Sequence, residues 1–259
     1  MPLIGYFSFS VSSTLVAFTP AHLAFSLFVG HWINIQAPIG EDRKNVGLLI
    51  KAFFETFKNK SSSNMPALIL KTSSAVNSYM DRENILKMIN AIKNTVNSKL
   101  LPSIYLLHGD FSDSEINELY NHLKVKAMVS LTKGEGFGRP LLEFSLVKKP
   151  IIATNWSGHI DFLSKQYTTL IDGTLTPVHP SVANQFLLKE SSWFSPNFPE
   201  IGETLNDVFK NYDKHLPGAR KQTELNIEKF SFDAMKKVIK LELTNYLSFL
   251  NKFNLNYLH

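Results

Sequence analysis

The sequence predicts an α/β fold in which helices cover both faces of a doubly wound parallel sheet. Between about residues 23 and 175, short apolar runs of strand length alternate with amphipathic runs of helix length, which is the order that builds βαβ units. The apolar runs are continuous rather than alternating, so both faces of each strand are expected to be buried. A sheet of this type binds ligands at the carboxyl ends of its strands.

The elements follow in the order that such a sheet requires. Residues 23–29 form an apolar run of strand length, and apolar residues three and four apart between Val46 and Phe57 predict the next helix. Ser112 and Glu115 match a capping box, which predicts a helix that begins there. Further strands are expected at 66–72, 103–109, 126–132, 150–155 and 168–171, and further helices near 85–96 and 158–164 and directly after residue 138.

The two ends of the chain differ from this core of residues 23–175. Residues 1–22 are too short for a domain, and prolines and a glycine interrupt them, whereas a membrane span needs roughly 20 apolar residues in a row. We expect extended structure there or the remainder of a larger unit, with a membrane role as the alternative. Residues 176–259 predict a helical tail, with an aromatic, proline-rich stretch at 193–199 and helices near 200–214, 219–229 and 232–250.

Composition excludes several classes of function. The chain of 259 residues has no cysteine, so it has no disulfide framework, thiolate metal site or cysteine nucleophile. Its net charge of +5 suits an anionic ligand, although a solvated basic surface is the simpler interpretation. No run of Lys or Arg exceeds two residues, so no nucleic-acid partner is expected. We expect a cytoplasmic protein, with membrane association as the alternative.

The stretch TKGEGFGRPLLEFS, residues 132–145, is the most informative part of the sequence. Gly134, Gly136 and Gly138 allow the backbone to approach a ligand closely, and Arg139-Pro140 is typical of a helix start. The free N–H groups and the dipole at such a start favour a phosphate group. The glycine spacing matches neither the P-loop nor the dinucleotide fingerprint.

Two glutamates in this stretch suggest a second kind of ligand group. Glu135 lies in the loop and Glu143 lies near the beginning of the helix. Carboxylates are good acceptors for the vicinal hydroxyls of a ribose or a hexose. A phosphate site between two hydroxyl-binding carboxylates fits a nucleotide-sugar. The alternative is that Glu143 complements the helix dipole and Glu135 is solvated.

Three stretches carry a resemblance to a known family. EGFGRPLLEFSLVKKPIIATNWSGHIDFL resembles the donor-site signature of the family-4 retaining glycosyltransferases, in which two glutamates are separated by seven residues (E-x7-E). LFVGHW and EDRKNVGLLIKAF resemble the first strand of that family's donor domain, its glycine, and the lysine before the following helix. HGDFSDSEINELYN resembles the fourth strand–helix passage. The resemblance is collinear from about residue 25 to residue 172 and implies the GT-B fold, with a Rossmann-like donor domain.

The resemblance implies a role for each matching residue. Lys44 would neutralise the diphosphate and assist its departure, and Glu135 would hold hydroxyls of the transferred sugar. Glu143 would hold the ribose. The remaining donor-binding residues that it implies are Gly30, Arg43, Gly109, Phe111, Lys133, Gly136, Phe137, Gly138 and Gly158.

One position departs from the family's pattern. His31 stands where the family usually has an arginine, and Arg43 is the candidate to supply that charge. A packing or loop role is the alternative for His31. Such a role is the preferred interpretation for His108, His159 and His179.

The implied reaction is retaining, hexosyl-type transfer from a UDP- or GDP-sugar to a glycan, lipid or protein. Lys44, Arg43 and the helix start would stabilise the leaving diphosphate instead of a metal ion, because the sequence contains no Asp-x-Asp motif. We therefore expect no metal and no cofactor. The sequence nominates no general base.

GT-B enzymes place a separate acceptor domain before the donor domain, and only about 22 residues precede the first predicted strand. We therefore expect residues 23–259 to be the donor-binding half alone. Exposed apolar residues of the last helix, namely Phe232, Tyr246, Phe249 and Phe253, are candidates to contact an acceptor-domain chain or a second copy. The alternatives are a non-catalytic nucleotide-sugar-binding subunit and an α/β scaffold without a donor site.

Overall fold

A computed structural model describes residues 24–33, 36–61, 65–74, 76–184 and 187–252. The expectations for residues 1–22, and for Phe253 as a contact residue, lie outside these ranges. Six parallel strands form the main sheet in the order β3-β2-β1-β4-β5-β6. They are β1 (Phe25–Val29), β2 (Ala67–Lys71), β3 (Ile104–Leu107), β4 (Val125–Ser130), β5 (Ile151–Thr154) and β6 (Thr169–Ile171).

Seven α-helices lie within the described residues. The first four follow β1, β2, β3 and β4, as predicted. They are α1 (Val46–Phe57), α2 (Tyr79–Asn94), α3 (Asp113–Asn121) and α4 (Arg139–Ser145). The other three are α5 (Phe198–Lys210), α6 (Tyr212–Phe230) and α7 (Phe232–Lys252). Both hydrogen bonds of the predicted capping box at Ser112 and Glu115 are present at the start of α3.

The sheet is buried on both faces, which confirms the doubly wound prediction. Along β2, Leu68 and Leu70 join a core with apolar residues of α1, α2 and α5, whereas Ala67 and Ile69 join a second core with residues of α3 and α4. Strand residues alternate between the two faces, so apolar residues at every position are needed to fill both cores. This explains the continuous apolar runs in the sequence.

Three features of the second half of the chain differ from the predictions. The stretch around residues 193–199 includes a strand, β8 (Ser192–Pro196), which pairs in antiparallel fashion with β7 (Gly173–Pro177). The break expected between 214 and 219 lies instead at Asn211, because Pro217 is accommodated inside α6. The helix expected near 158–164 is only a 3-10 turn, Gly158–Asp161.

The last helix, α7, leaves much apolar surface open to solvent. Phe232, Tyr246 and Phe249 are exposed, in agreement with the prediction. Within the described ranges, no helix is sufficiently long and apolar to cross a membrane.

The strand order locates the edge of the sheet at which doubly wound folds bind ligands. The chain moves outward from β1 through β2 to β3, and then returns to add β4 on the other side of β1. Such a reversal opens a crevice at the carboxyl ends of the two central strands. The segment after β1 and the loop after β4 therefore meet at this crevice.

Candidate functional site

Backbone and side-chain hydrogen bonds hold the segment before α1 against the loop after β4. The backbone N–H of Lys133 donates to the carbonyl of Arg43 (2.9 Å), and the side-chain amide of Asn45 donates to the carbonyl of Leu131 (2.7 Å). The guanidinium of Arg43 donates to the carbonyl of Gly134 (2.9 Å). The two stretches, 86 or more residues apart in sequence, thus form one unit at the crevice.

Lys44 and Glu135 form an ion pair at the centre of this unit. Both side chains are only 14% exposed. Burial lowers the pKa of Lys44, and the neighbouring Glu135 carboxylate opposes that shift. The pair places an ammonium donor and a carboxylate acceptor side by side in a partly desolvated place, where each acts more strongly on a ligand than it would in water.

The stretch after β5 fixes the backbone of Glu135. The hydroxyl of Ser157 accepts from the N–H of Glu135 (3.0 Å) and donates to its carbonyl (2.7 Å). The N–H of Gly158 donates to the same carbonyl (3.1 Å). A Cβ on Gly158 would lie 2.2 Å from the carbonyl oxygen of Gly136. This close approach of two loops requires glycine at position 158.

Residues 136–138, which follow Glu135, lead into α4. Gly136 is exposed, and Gly138 has φ +90° directly before the helix begins, a conformation that favours glycine. Phe137 is exposed, but its ring centroid lies 5.2 Å from that of Phe162 and 6.2 Å from that of Phe230. These ring contacts hold the loop from one side and leave its backbone at the crevice.

The second glutamate of the motif, Glu143, has a different set of contacts. Its carboxylate accepts from Nε of Arg139 (2.5 Å) and from the hydroxyl of Tyr120 (3.4 Å). Burial and the adjacent carboxylate raise the pKa of Tyr120. Glu143 thus borders a groove of about 370 Å³ between α3 and α4. The structure brings Lys44 together with Glu135, and it places Glu143 in this neighbouring groove.

Residues after β1 and β3 are joined through Lys71, which sequence reasoning missed. The N–H of Gly30 donates to the carbonyl of Lys71 (3.1 Å). The ammonium of Lys71 donates to the carbonyl of Gly109 (2.6 Å) and lies 4.6 Å from the ring centroid of Phe111. His31 is exposed at the same edge. The predicted Gly30, Gly109 and Phe111 therefore form a second group, on the β2–β3 side of the sheet.

Lys133 joins the site through its backbone but directs its side chain elsewhere. The buried ammonium donates to the hydroxyl of Ser195 (3.2 Å) and lies 4.4 Å from the ring centroid of Trp193, both on β8. Burial lowers the pKa of this ammonium. Lys133 thus connects the β4 loop to the hairpin of β7 and β8.

Three of the histidines have structural partners. His159 is fully buried, with Nε2 2.6 Å from the carbonyl oxygen of Thr154. His108 is also shielded from solvent, with Nε2 2.7 Å from the carboxylate of Asp81. His179 accepts from the N–H two residues further on, at the start of a short 3-10 turn. Within the described part of the chain, no three His, Cys, Asp or Glu side chains are grouped to hold a metal ion.

Asp42 is a further residue that sequence reasoning missed. It is buried, and its two carboxylate oxygens accept from the N–H groups of Val46 (3.0 Å) and Gly47 (3.3 Å). These bonds satisfy free donors in the first turn of α1. The signal in the sequence is an aspartate four residues before an apolar helical stripe. Asp42 holds the helix start and thereby positions Lys44 and Asn45 in front of it.

Neither protein-family models nor curated proteins show a match to this sequence. Solved structures do resemble it. A glycosyltransferase from Rickettsia africae matches with a TM-score of 0.56 at 15% identity, over 86% of this chain and 48% of that one. HepE from Anabaena, in complex with UDP-glucose, matches with a TM-score of 0.57 at 14% identity, over 87% of this chain and 50% of that one.

The C-terminal domain of a group 1 glycosyl transferase from Francisella tularensis matches with a TM-score of 0.51 at 14% identity. The match covers 81% of this chain and 87% of that domain. The chain has the fold of a single GT-B glycosyltransferase domain. It spans about half the length of the Rickettsia and Anabaena proteins. At these identities the likeness establishes the fold alone.

Proposed function

We propose that this chain is the donor-binding domain of a retaining glycosyltransferase of the family-4 type. The observation that carries the proposal is the Lys44–Glu135 ion pair, which is held at the crevice where the strand order reverses. A cation for a phosphate and a carboxylate for sugar hydroxyls lie side by side there. Both groups occur at the junction of a nucleotide-sugar, where the diphosphate meets the transferred sugar.

The diphosphate would lie between the two loops. Lys44 and Arg43 supply positive charge from the α1 side, and the backbone of residues 136–138 supplies N–H groups from the α4 side. Glu135 would accept hydrogen bonds from hydroxyls of the transferred sugar. The nucleoside would extend toward Glu143 in the groove between α3 and α4. This arrangement gives the two glutamates separate parts of one donor, which fits their separate contacts.

The reaction would break the bond between the anomeric carbon and a diphosphate oxygen, and the electron pair would pass to the diphosphate. Lys44 and Arg43 would stabilise the charge that develops there. A new bond would form from an acceptor oxygen to the anomeric carbon with retention of configuration. The acceptor proton would be taken up by the departing diphosphate. Metal independence is part of the proposal and rests on the resemblance and on these two cations.

Most of the acceptor site would come from elsewhere. The chain spans about half the length of the Rickettsia and Anabaena proteins, and α7 exposes apolar residues along its length. We propose that α7 contacts an acceptor-binding domain, supplied by a partner chain or by the remainder of a longer protein. Such a contact would bury apolar surface that is unusual for an isolated soluble domain.

Calorimetric titration with UDP, GDP and their sugars tests the donor site. Lys44→Met should weaken binding of every diphosphate by tenfold or more, about 1.4 kcal/mol, because the central cation is lost. Glu135→Gln should mainly reduce the advantage of the nucleotide-sugar over the free nucleotide. Lys126→Met is the matched control, because Lys126 lies near the amino end of β4, at the opposite edge of the sheet.

Circular dichroism of each variant establishes that it folds. The proposal fails if no nucleotide binds to the folded wild-type chain, or if Lys44→Met binds as tightly as the control. Binding with no donor hydrolysis or transfer, even when an acceptor domain is supplied, would indicate a non-catalytic nucleotide-sugar-binding subunit instead.

A further inference from the structure

Among the three tryptophans of the chain, Trp156 alone presents a large part of its surface to solvent. It is 40% exposed, whereas Trp32 and Trp193 are 2% and 7% exposed. The indole stacks on the ring of Phe194, with centroids 5.8 Å apart and an angle of 4° between the planes. Phe194, which is itself buried, packs against one face of the indole, so a ligand would have to pack on the other face.

Trp156 lies directly beside the proposed site. It follows β5, the neighbour of β4 in the sheet, at the same carboxyl edge. The next two residues, Ser157 and Gly158, make the three hydrogen bonds that fix the backbone of Glu135. The indole is therefore attached to the structure that positions the sugar-binding carboxylate.

The indole is held in place by the preceding residue, Asn155, and by the ring on which it stacks, Phe194. On the preceding residue, the N–H of Asn155 donates to the carbonyl of Ile171 (2.8 Å) and its side chain donates to Asp172 (2.7 Å). Phe194 is anchored in the hairpin, where it pairs with Leu175. A rigid aromatic side chain loses little conformational entropy when a ligand packs on it.

The surroundings indicate what kind of ligand fits this indole. Its neighbours in sequence, Asn155 and Ser157, are polar, and both are fixed by hydrogen bonds. A pyranose ring has a face of C–H groups and a rim of hydroxyls, so it needs a flat apolar surface bordered by hydrogen-bonding groups.

We propose that Trp156 is the platform for a saccharide ring of the acceptor, which identifies the acceptor as a glycan. The inference rests on the proposed function, because it takes Glu135 to hold the transferred sugar next to this platform. The acceptor ring would pack on the open face of the indole, with one hydroxyl directed toward the anomeric carbon of the donor. Phe194 would act as a positioning residue behind the indole.

The indole N–H resonances provide a direct test. Three such signals are expected in a two-dimensional nitrogen–proton spectrum of the full chain, and Trp156→Phe identifies the one from Trp156. The probes are methyl glycosides of glucose, galactose, mannose and N-acetylglucosamine, titrated with UDP present. The expected result is that at least one glycoside moves the Trp156 signal and leaves that of the buried Trp32 unchanged.

Variants separate stacking from general disturbance. Trp156→Ala should weaken binding of that glycoside about tenfold, and Trp156→Tyr should retain most of the affinity because a stacking face remains. Phe198→Ala is the control, since Phe198 is an exposed aromatic residue at the start of α5. The inference is overturned if no glycoside moves the Trp156 signal or if Trp156→Ala binds as well as the control.

Further outcomes distinguish this inference from the proposed function. UDP binding without any glycoside binding would overturn the platform and leave the donor site in place. Glycoside binding at Trp156 without UDP binding would support the saccharide site and overturn the donor site. A shift of the Trp156 signal by phospholipid vesicles or apolar peptides, with no effect of glycosides, would overturn the saccharide assignment.

Discussion

Replacing Gly158 with alanine tests how the sheet edge holds Glu135. The added Cβ would lie 2.2 Å from the carbonyl oxygen of Gly136 and 3.0 Å from that of Glu135. Ordinary contacts of this kind exceed 3 Å, so the two loops must separate by about 1 Å. Such overpacking costs about 1–3 kcal/mol, and loss of the Gly158 N–H bond to Glu135 adds about 1 kcal/mol. We expect the free energy of unfolding to fall by about 2–4 kcal/mol.

Gly136→Ala is the matched control on the facing loop. A Cβ on Gly136 meets no atom within 4 Å, and its backbone is outside the left-handed region. This substitution should change the free energy of unfolding by less than about 0.5 kcal/mol. Urea unfolding followed by circular dichroism measures both variants. A free energy of unfolding for Gly158→Ala within about 0.5 kcal/mol of the wild type, or equal destabilisation of the two variants, would contradict the close approach of the two loops.

Three further predictions concern single side chains, and urea unfolding measures each. Asp42→Ala should lower the free energy of unfolding by about 1–2 kcal/mol, because two N–H groups of α1 lose their acceptor; an unchanged value contradicts the cap. Ser112→Ala should cost about 1 kcal/mol through the capping box, and a cost equal to that of an exposed serine elsewhere would contradict it. Burial lowers the pKa of Lys149 from 10.5 to about 8, so between these values the unfolded chain binds more protons. The unfolding free energy of the wild type should therefore rise relative to that of Lys149→Gln between pH 8 and pH 10.5. The expected rise is about 1–2 kcal/mol after allowance for solvent screening. A difference between the two proteins that does not change with pH would contradict the lowered pKa.

The sheet and its first four helices could be predicted because their sequence patterns are local. Leu68 and Leu70 alternate with Ala67 and Ile69, so one short run already shows that both faces are buried. The strand Gly173–Pro177 was missed because it is short, mostly exposed and without an apolar run. Its partner lies about 20 residues further along the chain, and only tertiary pairing shows it to be a strand.

The residues of the site also divide into those that a local sequence pattern predicts and those that depend on contacts with distant parts of the chain. The motif and the resemblance indicated Lys44 and Glu135, whose roles stay predictions, and the structure adds that the two side chains form an ion pair. Asn45 and Ser157 could not be recognised, since their partners lie 86 and 22 residues away. The direction of the Lys133 side chain could not be predicted from the sequence either, because it depends on the hairpin of β7 and β8, which was not predicted.

The pairing of Lys44 with Glu135 means that the cation carries its own counter-ion. Under the proposed function, an incoming donor must replace the contact between the two side chains. Its phosphates would bind Lys44, and its sugar hydroxyls would donate hydrogen bonds to Glu135. After transfer, the nucleoside diphosphate that remains can satisfy Lys44 only. Glu135 would then be a largely buried carboxylate without a donor, and its return to Lys44 would compete with the spent nucleotide. Under the proposed function, the same ion pair would receive the substrate and promote release of the product.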